Sequence, residues 1–493
     1  MHLPKRQFRA GCVQTNMKIR TLILVFALAA VPFCLRAQGQ LPDTPVAKQF
    51  AAWLEAFNSG ERERLLEFYQ KNEPSRVKDI DGAMDFRENT GGFVVKKVEE
   101  CGQTKCAVIV QEKKSDQFAR ATIEVEAAEP FVIKAVRVTA MEPPAEFAVP
   151  RMTQGEVVAA TRTKLEQTSA ADEFSGAVII AKDQKPIFSG AYGMADREKK
   201  IPNTADTKFR IGSMNKMFTA TATMQLVQAG KIALEKPFGT YLPDYPNKDM
   251  ASSVTIHQLL THTGGTGDIF GPDFEKNRLE LKTLQDYVKL YGTRGVKFPP
   301  GSKWEYSNYG FLLLGVIVQR VSGQDYYEYV RNHIFKPAGM NSTDSLPEGV
   351  AVLNRSVGYM KEDPTKDWES NTDTLPYRGT SAGGGYSTVG DLLAFANALE
   401  NYRLLDEAHT NLLVTGKVDT GDTPGGRKYA YGFAETISPD KVTCFGHGGG
   451  APGMNGELRI CKSSGYTVAV LANIDPPAAS RIAGFILNRL PKE

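Results

Sequence analysis

Ser213 and Lys216 stand three residues apart in Phe209-Arg210-Ile211-Gly212-Ser213-Met214-Asn215-Lys216-Met217-Phe218, at the start of an apolar helical stretch. On a helix, positions i and i+3 share a face, so this hydroxyl and amine can come within hydrogen-bonding distance. A serine hydroxyl alone is a poor nucleophile. An amine that accepts its proton changes that, provided burial lowers the lysine pKa or the site offsets its charge. The tetrad S-x-x-K also arises by chance, so its chemical partners must come from elsewhere in the chain.

Two further stretches carry suitable groups. Trp304-Glu305-Tyr306-Ser307-Asn308-Tyr309-Gly310 follows Pro299-Pro300-Gly301 and leads into an apolar helix expected over 311–321. Tyr306 and Asn308 fall on a loop or helix start, and in an extended loop residues i and i+2 share one side, so the phenol and the carboxamide can face one cavity. The alternative is that the two simply cap the helix. Phe445-Gly446-His447-Gly448-Gly449-Gly450-Ala451-Pro452-Gly453 reads as a strand end nearly bare of side chains apart from His447, with glycines that admit a substrate backbone. His257 and His262 lack the intervening glutamate of a zinc-protease pattern, so no metal site is expected there. They are expected to hydrogen-bond locally around a glycine loop beside the site. A second glycine loop, Thr380-Ser381-Ala382-Gly383-Gly384-Gly385-Tyr386-Ser387-Thr388, precedes a helix over 389–399.

The ordered set S-x-x-K, Y-x-N and H-x-G resembles the serine β-lactamases and penicillin-recognising hydrolases, in particular the branch of class C β-lactamases, D-alanyl-D-alanine carboxypeptidases and esterases. The likeness runs from about residue 152 to 490 and includes Leu259-Leu260-Thr261-His262-Thr263 and the second glycine loop. It implies a β-lactamase-like α+β fold, an antiparallel sheet flanked by helices with a helical subdomain, working without metal or cofactor. Ser213 would be the acylated nucleophile, Lys216 its proton partner, and Tyr306 a proton shuttle to the leaving group. Asn308 would hold the carbonyl or amide side of the substrate. His447, Gly449 and Gly450 would belong to the substrate-binding strand, with His447 where β-lactamases carry the lysine of K-T-G. The N–H groups of Ser213 and Gly450 would form the oxyanion hole, where losing one donor typically costs about 3 kcal/mol.

Histidine has a reference pKa of about 6.5 against about 10.4 for lysine, so a neutral His447 would bind a carboxylate less firmly. The Michaelis constant of a carboxylate substrate is then expected to rise near the histidine pKa. The implied activity is a serine hydrolase acting on a small-molecule ester, amide or peptide, ahead of a dedicated antibiotic-destroying enzyme. A D-Ala-type cell-wall peptidase or β-lactamase is the alternative within this class. A catalytically weak binding or scaffold protein is the alternative outside it, and the intact Ser213, Lys216, Tyr306 and Asn308 set argues against that.

These residues need a frame. A helix is expected over 154–167, strands over 176–181 and 186–190 around Asp183-Gln184-Lys185, strands over 456–461 and 466–472, and a closing helix over 478–490. The Ser213 helix should end near Gly230, with Met217, Ala220, Met224 and Val227 facing inward. Ahead of this unit, Phe50, Trp53, Leu54 and Phe57, then Leu65, Leu66, Phe68 and Tyr69, recur at helical spacing. Strand-like 93–98, 106–111, 118–126 and 131–138 follow. Two helices and then antiparallel strands make a small α+β domain over 41–140 that resembles NTF2-like domains, with no constellation of acid, base or nucleophile. A proline-punctuated linker over 141–153 joins it to the hydrolase domain, 154–493.

Residues 1–40 read as an N-terminal extension and signal peptide starting at Met17: Lys18 and Arg20, an apolar run over 22–31, then Leu35-Arg36-Ala37. The run is short for a bilayer, so no stable membrane span is expected after cleavage, a retained anchor being the alternative. Cys34 fits a lipoprotein poorly because bulky Val31-Pro32-Phe33 precedes it. A secreted or periplasmic location follows. Cys101, Cys106, Cys444 and Cys461 then remain, and proximity favours two hairpin-stapling disulfides over four buried thiols. Lys plus Arg total 59 against 56 for Asp plus Glu, with no long basic run, so nucleic acid is not an expected partner. Nothing in the pattern speaks to the oligomeric state.

Overall fold

In the computed structural model, residues 39–361, 366–421, 426–438 and 440–492 are described. The signal-like segment from Met17, together with Cys12 and Cys34, lies outside them.

Gly176–Lys182 and Tyr466–Ala472 are nearly unbroken apolar runs, a pattern suited to strands covered on both faces. They pair antiparallel at the heart of an eight-stranded sheet. Its order is Val418–Asp419, Arg427–Tyr429, Ala434–Ile437, Thr443–Ala451, Met454–Cys461, Tyr466–Ala472, Gly176–Lys182 and Lys185–Tyr192, with antiparallel neighbours throughout. Alternation along a strand sends successive side chains to opposite layers. Ala177, Ile179 and Ala181 join the large core that includes the helix Val389–Glu400. Val178 and Ile180 meet Ile482 and Ile486 of the C-terminal helix Ala478–Leu487 and Leu165 of Gln154–Ala170. That last helix begins on a capping box in which Thr153 and Glu156 satisfy each other's backbone N–H.

The register Phe445↔Ile460 sets Cys444 opposite Cys461, and both hairpin disulfides, Cys444–Cys461 and Cys101–Cys106, are formed.

The Ser213 helix runs over Asn215–Gln228. Its expected inward stripe gives way to burial on every side: residues 215 to 224 are all buried, while Val227 is only partly so. The reason is position, since the helix is enclosed by Asn308–Ser322, Glu407–Val414 and the strand Thr443–Ala451. Its threonines remain compatible with burial because Thr221 and Thr223 return their hydroxyls to the carbonyls of Met217 and Thr219, at 2.7 and 2.9 Å.

The N-terminal unit is a four-stranded antiparallel sheet, Phe93–Cys101, Lys105–Glu112, Phe118–Val125 and Ile133–Met141, covered by Pro45–Ser59 and Arg62–Asn72. Phe50, Trp53, Phe57, Val108 and Ile123 share a core of their own. A third helix, Ile80–Thr90, was not expected, because its apolar face is short: Ile80, Ala83 and Met84 meet the core while Phe86 is exposed and the rest of the helix is mostly polar. Arg489 pairs with Asp116, and Arg481 donates to the Asn89 carbonyl, tying this unit to the C-terminal helix. Among the described residues, no helix is long and apolar enough to cross a membrane.

Candidate active site

The nucleophile turn is built by a glycine and the second glycine loop. Gly212 has φ +51°, in the left-handed region that a side chain disfavours, and it swings the chain from the short strand Phe209–Arg210 into the turn Gly212–Met214. The second glycine loop packs against this turn, with Gly384 N–H donating to the Gly212 carbonyl at 3.1 Å. Ser213 thereby sits at the mouth of the Asn215–Gln228 helix, and Lys216 Nζ lies 3.2 Å from its Oγ.

Lys216 is fully buried. Nζ also reaches Asn308 Oδ1 at 2.7 Å and the Ala382 carbonyl at 2.6 Å. A neutral amine has two N–H groups and one lone pair, which matches two acceptors and one hydroxyl proton. Burial lowers the Lys216 pKa to about 7, and the carboxylate of Asp268 opposes that shift. At neutral pH a substantial fraction of the amine is therefore free to accept a proton.

Tyr306 and Asn308 flank Ser307, and Ser307 is the residue that caps the helix, its Oγ accepting from Gly310 N–H at 3.0 Å. Capping by Ser307 leaves the two flanking side chains for the site. The Tyr306 ring lies 4.6 Å from Lys216 Nζ, and its hydroxyl is a neighbour of Ser213. Desolvation raises the Tyr306 pKa well above that of an ordinary phenol, so it stays protonated.

Asp268 was not legible as a site residue. Both its oxygens accept from Asn308 Nδ2, at 3.0 and 3.1 Å, and a carboxylate can only accept. The carboxamide is thus fixed with Oδ1 toward Lys216. The clue in the chain is its place at the end of the Thr263-Gly264-Gly265-Thr266-Gly267 loop. His262 is the other member brought in by that loop: Nδ1 accepts from Ser307 N–H at 3.1 Å and its ring centroid lies 4.4 Å from that of Tyr306. His257 bonds the Tyr431 hydroxyl instead, at 2.8 Å. Asp268→Asn removes the anion that holds the Lys216 pKa up. The acidic limb of kcat/KM for a neutral ester should move to lower pH by about one unit, measured as a pH–rate profile; an unmoved limb would disconnect Asp268 from Lys216.

Ala434–Ile437 pairs with Thr443–Ala451 only as far as Gly446, so from His447 onward that edge faces the nucleophile turn. A Cβ at Gly449 would lie 2.0 Å from the Ile211 carbonyl oxygen, and one at Gly446 would lie 1.8 Å from that of Leu458. These glycines serve close packing inside the protein, a different reason from the substrate approach expected of them. Gly450 N lies beside Gly212, and Gly450 and Ser213 line the same cavity.

His447 requires a correction. Its Nδ1 meets the Gly448 carbonyl, which can only accept, so Nδ1 carries the proton and Nε2 accepts from the Tyr429 hydroxyl at 3.0 Å. Burial, with the charges of Lys216 and Arg427, pushes the ring down to about 3 against a smaller upward pull from Gly448. It is neutral across the working range, and the expected rise of a carboxylate's Michaelis constant near the ordinary histidine pKa has no basis in this ring. Tyr429 and Arg427 come from the short strand Arg427–Tyr429, which carries no motif.

The cavity at Ser213 measures about 270 Å³, with Ser213, Asn308 and Gly450 at its reactive end and Ile269, Phe274, Leu375 and Met454 among its walls.

A buried lysine and asparagine beside a part-buried serine and tyrosine, on this fold, are the groups of a serine hydrolase. Residues 162–490 match the Beta-lactamase family model, and the chain belongs to that family of serine hydrolases. PbpX of Bacillus subtilis is 31% identical over 301 residues, 60% of this chain and 70% of the relative. A penicillin binding protein from Bacillus halodurans has a similar structure, with TM-score 0.59 and 34% identity over 64% of this chain and 97% of that one. A D-stereospecific amidohydrolase from Streptomyces sp. has TM-score 0.57 and 29% identity over 66% and 96%.

Proposed function

We propose that the protein is an exported hydrolase that cleaves an ester or amide through an acyl intermediate on Ser213. The observation that carries this is the buried Lys216, its pKa brought to about 7 and its Nζ 3.2 Å from Ser213 Oγ. Neutral Lys216 takes the hydroxyl proton as Oγ adds to the carbonyl carbon. The N–H groups of Ser213 and Gly450 receive the charge on the carbonyl oxygen. Tyr306 gives its proton to the departing alkoxide or amine and regains one from Lys216. Water then adds to the acyl group by the reverse relay, releasing the acid. Asn308, oriented by Asp268, keeps Nζ aimed at Oγ. His447, Gly449 and Gly450 form the strand along which the substrate lies.

Apolar walls and a neutral His447 favour an uncharged acyl group over one bearing a carboxylate. The similarity to a D-stereospecific amidohydrolase supports a second reading, cleavage of D-amino-acid amides or related peptides. Export is supported by the two disulfides and by the signal-like segment from Met17. Residues 41–140 would be an NTF2-like accessory domain, joined by 141–153 to the hydrolase domain.

Intact mass measurement tests the chemistry. After exposure to an activated ester or a penicillin, the unaltered protein should gain one acyl group and Ser213→Ala none. An adduct on both proteins would place the nucleophile elsewhere. The reagent that labels would separate esterase from penicillin-recognising chemistry.

A further inference from the structure

The N-terminal unit holds a cavity of about 260 Å³ that shares no lining residue with the one at Ser213. Trp53, Phe57 and Phe86 give it aromatic walls, Glu73 reaches it from within, and Arg76 and Asp79 stand at the exposed side. Trp53 and Phe57 lie stacked, their centroids 5.4 Å apart.

Glu73 is the unusual member. It is 2% exposed, and its Oε2 has no hydrogen-bond partner. Arg76 does not supply one: its Nε stays 3.6 Å from the other oxygen, Oε1, while its Nη2 donates to the Val136 carbonyl at 3.2 Å. A buried carboxylate oxygen with nothing to accept from is costly, and it is tolerated where a donor arrives from outside. Burial raises the Glu73 pKa, with Arg76 pulling the other way.

The rest of the lining selects the donor. Two carboxylates against one guanidinium leave the cavity net negative, which disfavours an anion. Faces of tryptophan and phenylalanine attract a cation through the ring quadrupole and also bury apolar surface. A neutral apolar molecule would fill the space but leave Oε2 unpaired. We propose that this cavity binds a small organic ammonium ion carrying an apolar group, the ammonium donating to Glu73 Oε2 and the apolar body lying against Trp53 and Phe57. Its volume is below the about 300 Å³ at which drug-sized sites begin, so a single-ring amine is the size that fits.

Isothermal titration of the full chain with 2-phenylethylamine, 2-phenylethanol and phenylacetate tests this. The amine should bind, with the alcohol and the acid at least about tenfold weaker, since a charge-assisted hydrogen bond is at stake. Glu73→Gln, which keeps shape and removes charge, should weaken the amine by about tenfold or more. Trp53→Phe, retaining a ring but a weaker cation acceptor, should weaken it less. Ser213→Ala should leave amine affinity unchanged, which separates this cavity from the catalytic one. Equal affinity for all three compounds, undiminished amine binding in Glu73→Gln, loss of binding in Ser213→Ala, or no heat with the amine at about 10 mM would each overturn the proposal.

Discussion

Ser213→Ala should hydrolyse an activated ester at least about a thousandfold more slowly than the unaltered protein, with the Michaelis constant changed far less. Ser213 Oγ both meets Lys216 Nζ and opens on the cavity between Asn308 and Gly450. Removing Oγ ends acylation while the backbone N–H groups and the apolar walls persist, so binding and a residue of transition-state stabilisation survive. Alanine fits the turn without strain, because Gly212 carries the left-handed φ. Steady-state kinetics beside a thermal melt would check this: lost turnover with an unchanged melting temperature is the expected pair. Full turnover in Ser213→Ala would remove the assignment of the nucleophile.

Lys216→Met should be as damaging to catalysis, and its effect on stability should depend on pH with a defined sign. The unfolded lysine titrates at about 10.4, the buried one at about 7. Below the folded pKa both states hold the proton, and the native state bears the whole cost of an interior ammonium. Between the two values the unfolded chain binds more protons than the native one, so the stability of the unaltered protein climbs with pH relative to the methionine variant. Above the unfolded value the cost is gone. Because Lys216 is fully buried, the shift converts to about 5 kcal/mol across that window, an appreciable part of the 5–15 kcal/mol typical of a domain. Methionine also leaves Asn308 Oδ1 and the Ala382 carbonyl without their partner, at about 1–3 kcal/mol each. The absolute ranking at one pH thus depends on two opposed terms of similar size. The change in ranking between pH 6 and pH 10.5 isolates the ionisation, since other titrating groups are common to both proteins. Urea unfolding at the two pH values would measure it, and parallel stability profiles would show that Lys216 is not depressed. The same titration predicts that kcat/KM of the unaltered enzyme for a neutral ester rises through about pH 7.

Much of the hydrolase unit was legible because its signals are local. The apolar runs at 176–181 and 466–472 needed no partner to be read as strands, and the turn at Asp183-Gln184 was expected where both residues adopt positive φ. Cys444 and Cys461 are equidistant from Pro452-Gly453, so hairpin geometry alone set them opposite each other. Where reading failed, the governing contact was distant in the chain. The helix Asn215–Gln228 was given a single inward stripe, yet helices and a strand from distant parts of the chain enclose it. Ile80–Thr90 offered only the brief apolar stripe Ile80, Ala83 and Met84, because it lies at the surface of the N-terminal unit's own core. Gly446 and Gly449 were read as glycines for substrate approach, whereas the carbonyls of Leu458 and Ile211 stand where a side chain at either position would go.

The amino-acid sequence by itself determined which groups could do chemistry and in what order: Ser213 and Lys216 on one turn, Tyr306 and Asn308 two residues apart, His447 on a strand with almost no side chains. It did so because those relations span a few residues, where helix and strand periodicity fix geometry. Only the tertiary structure decided their protonation states and partners. Lys216 meets Asn308 across 92 residues and Ala382 across 166, and Asp268 meets Asn308 across 40. Lysine at about pH 7 and histidine at about pH 3 are products of desolvation, and desolvation is a property of everything that surrounds a group rather than of its neighbours in the chain.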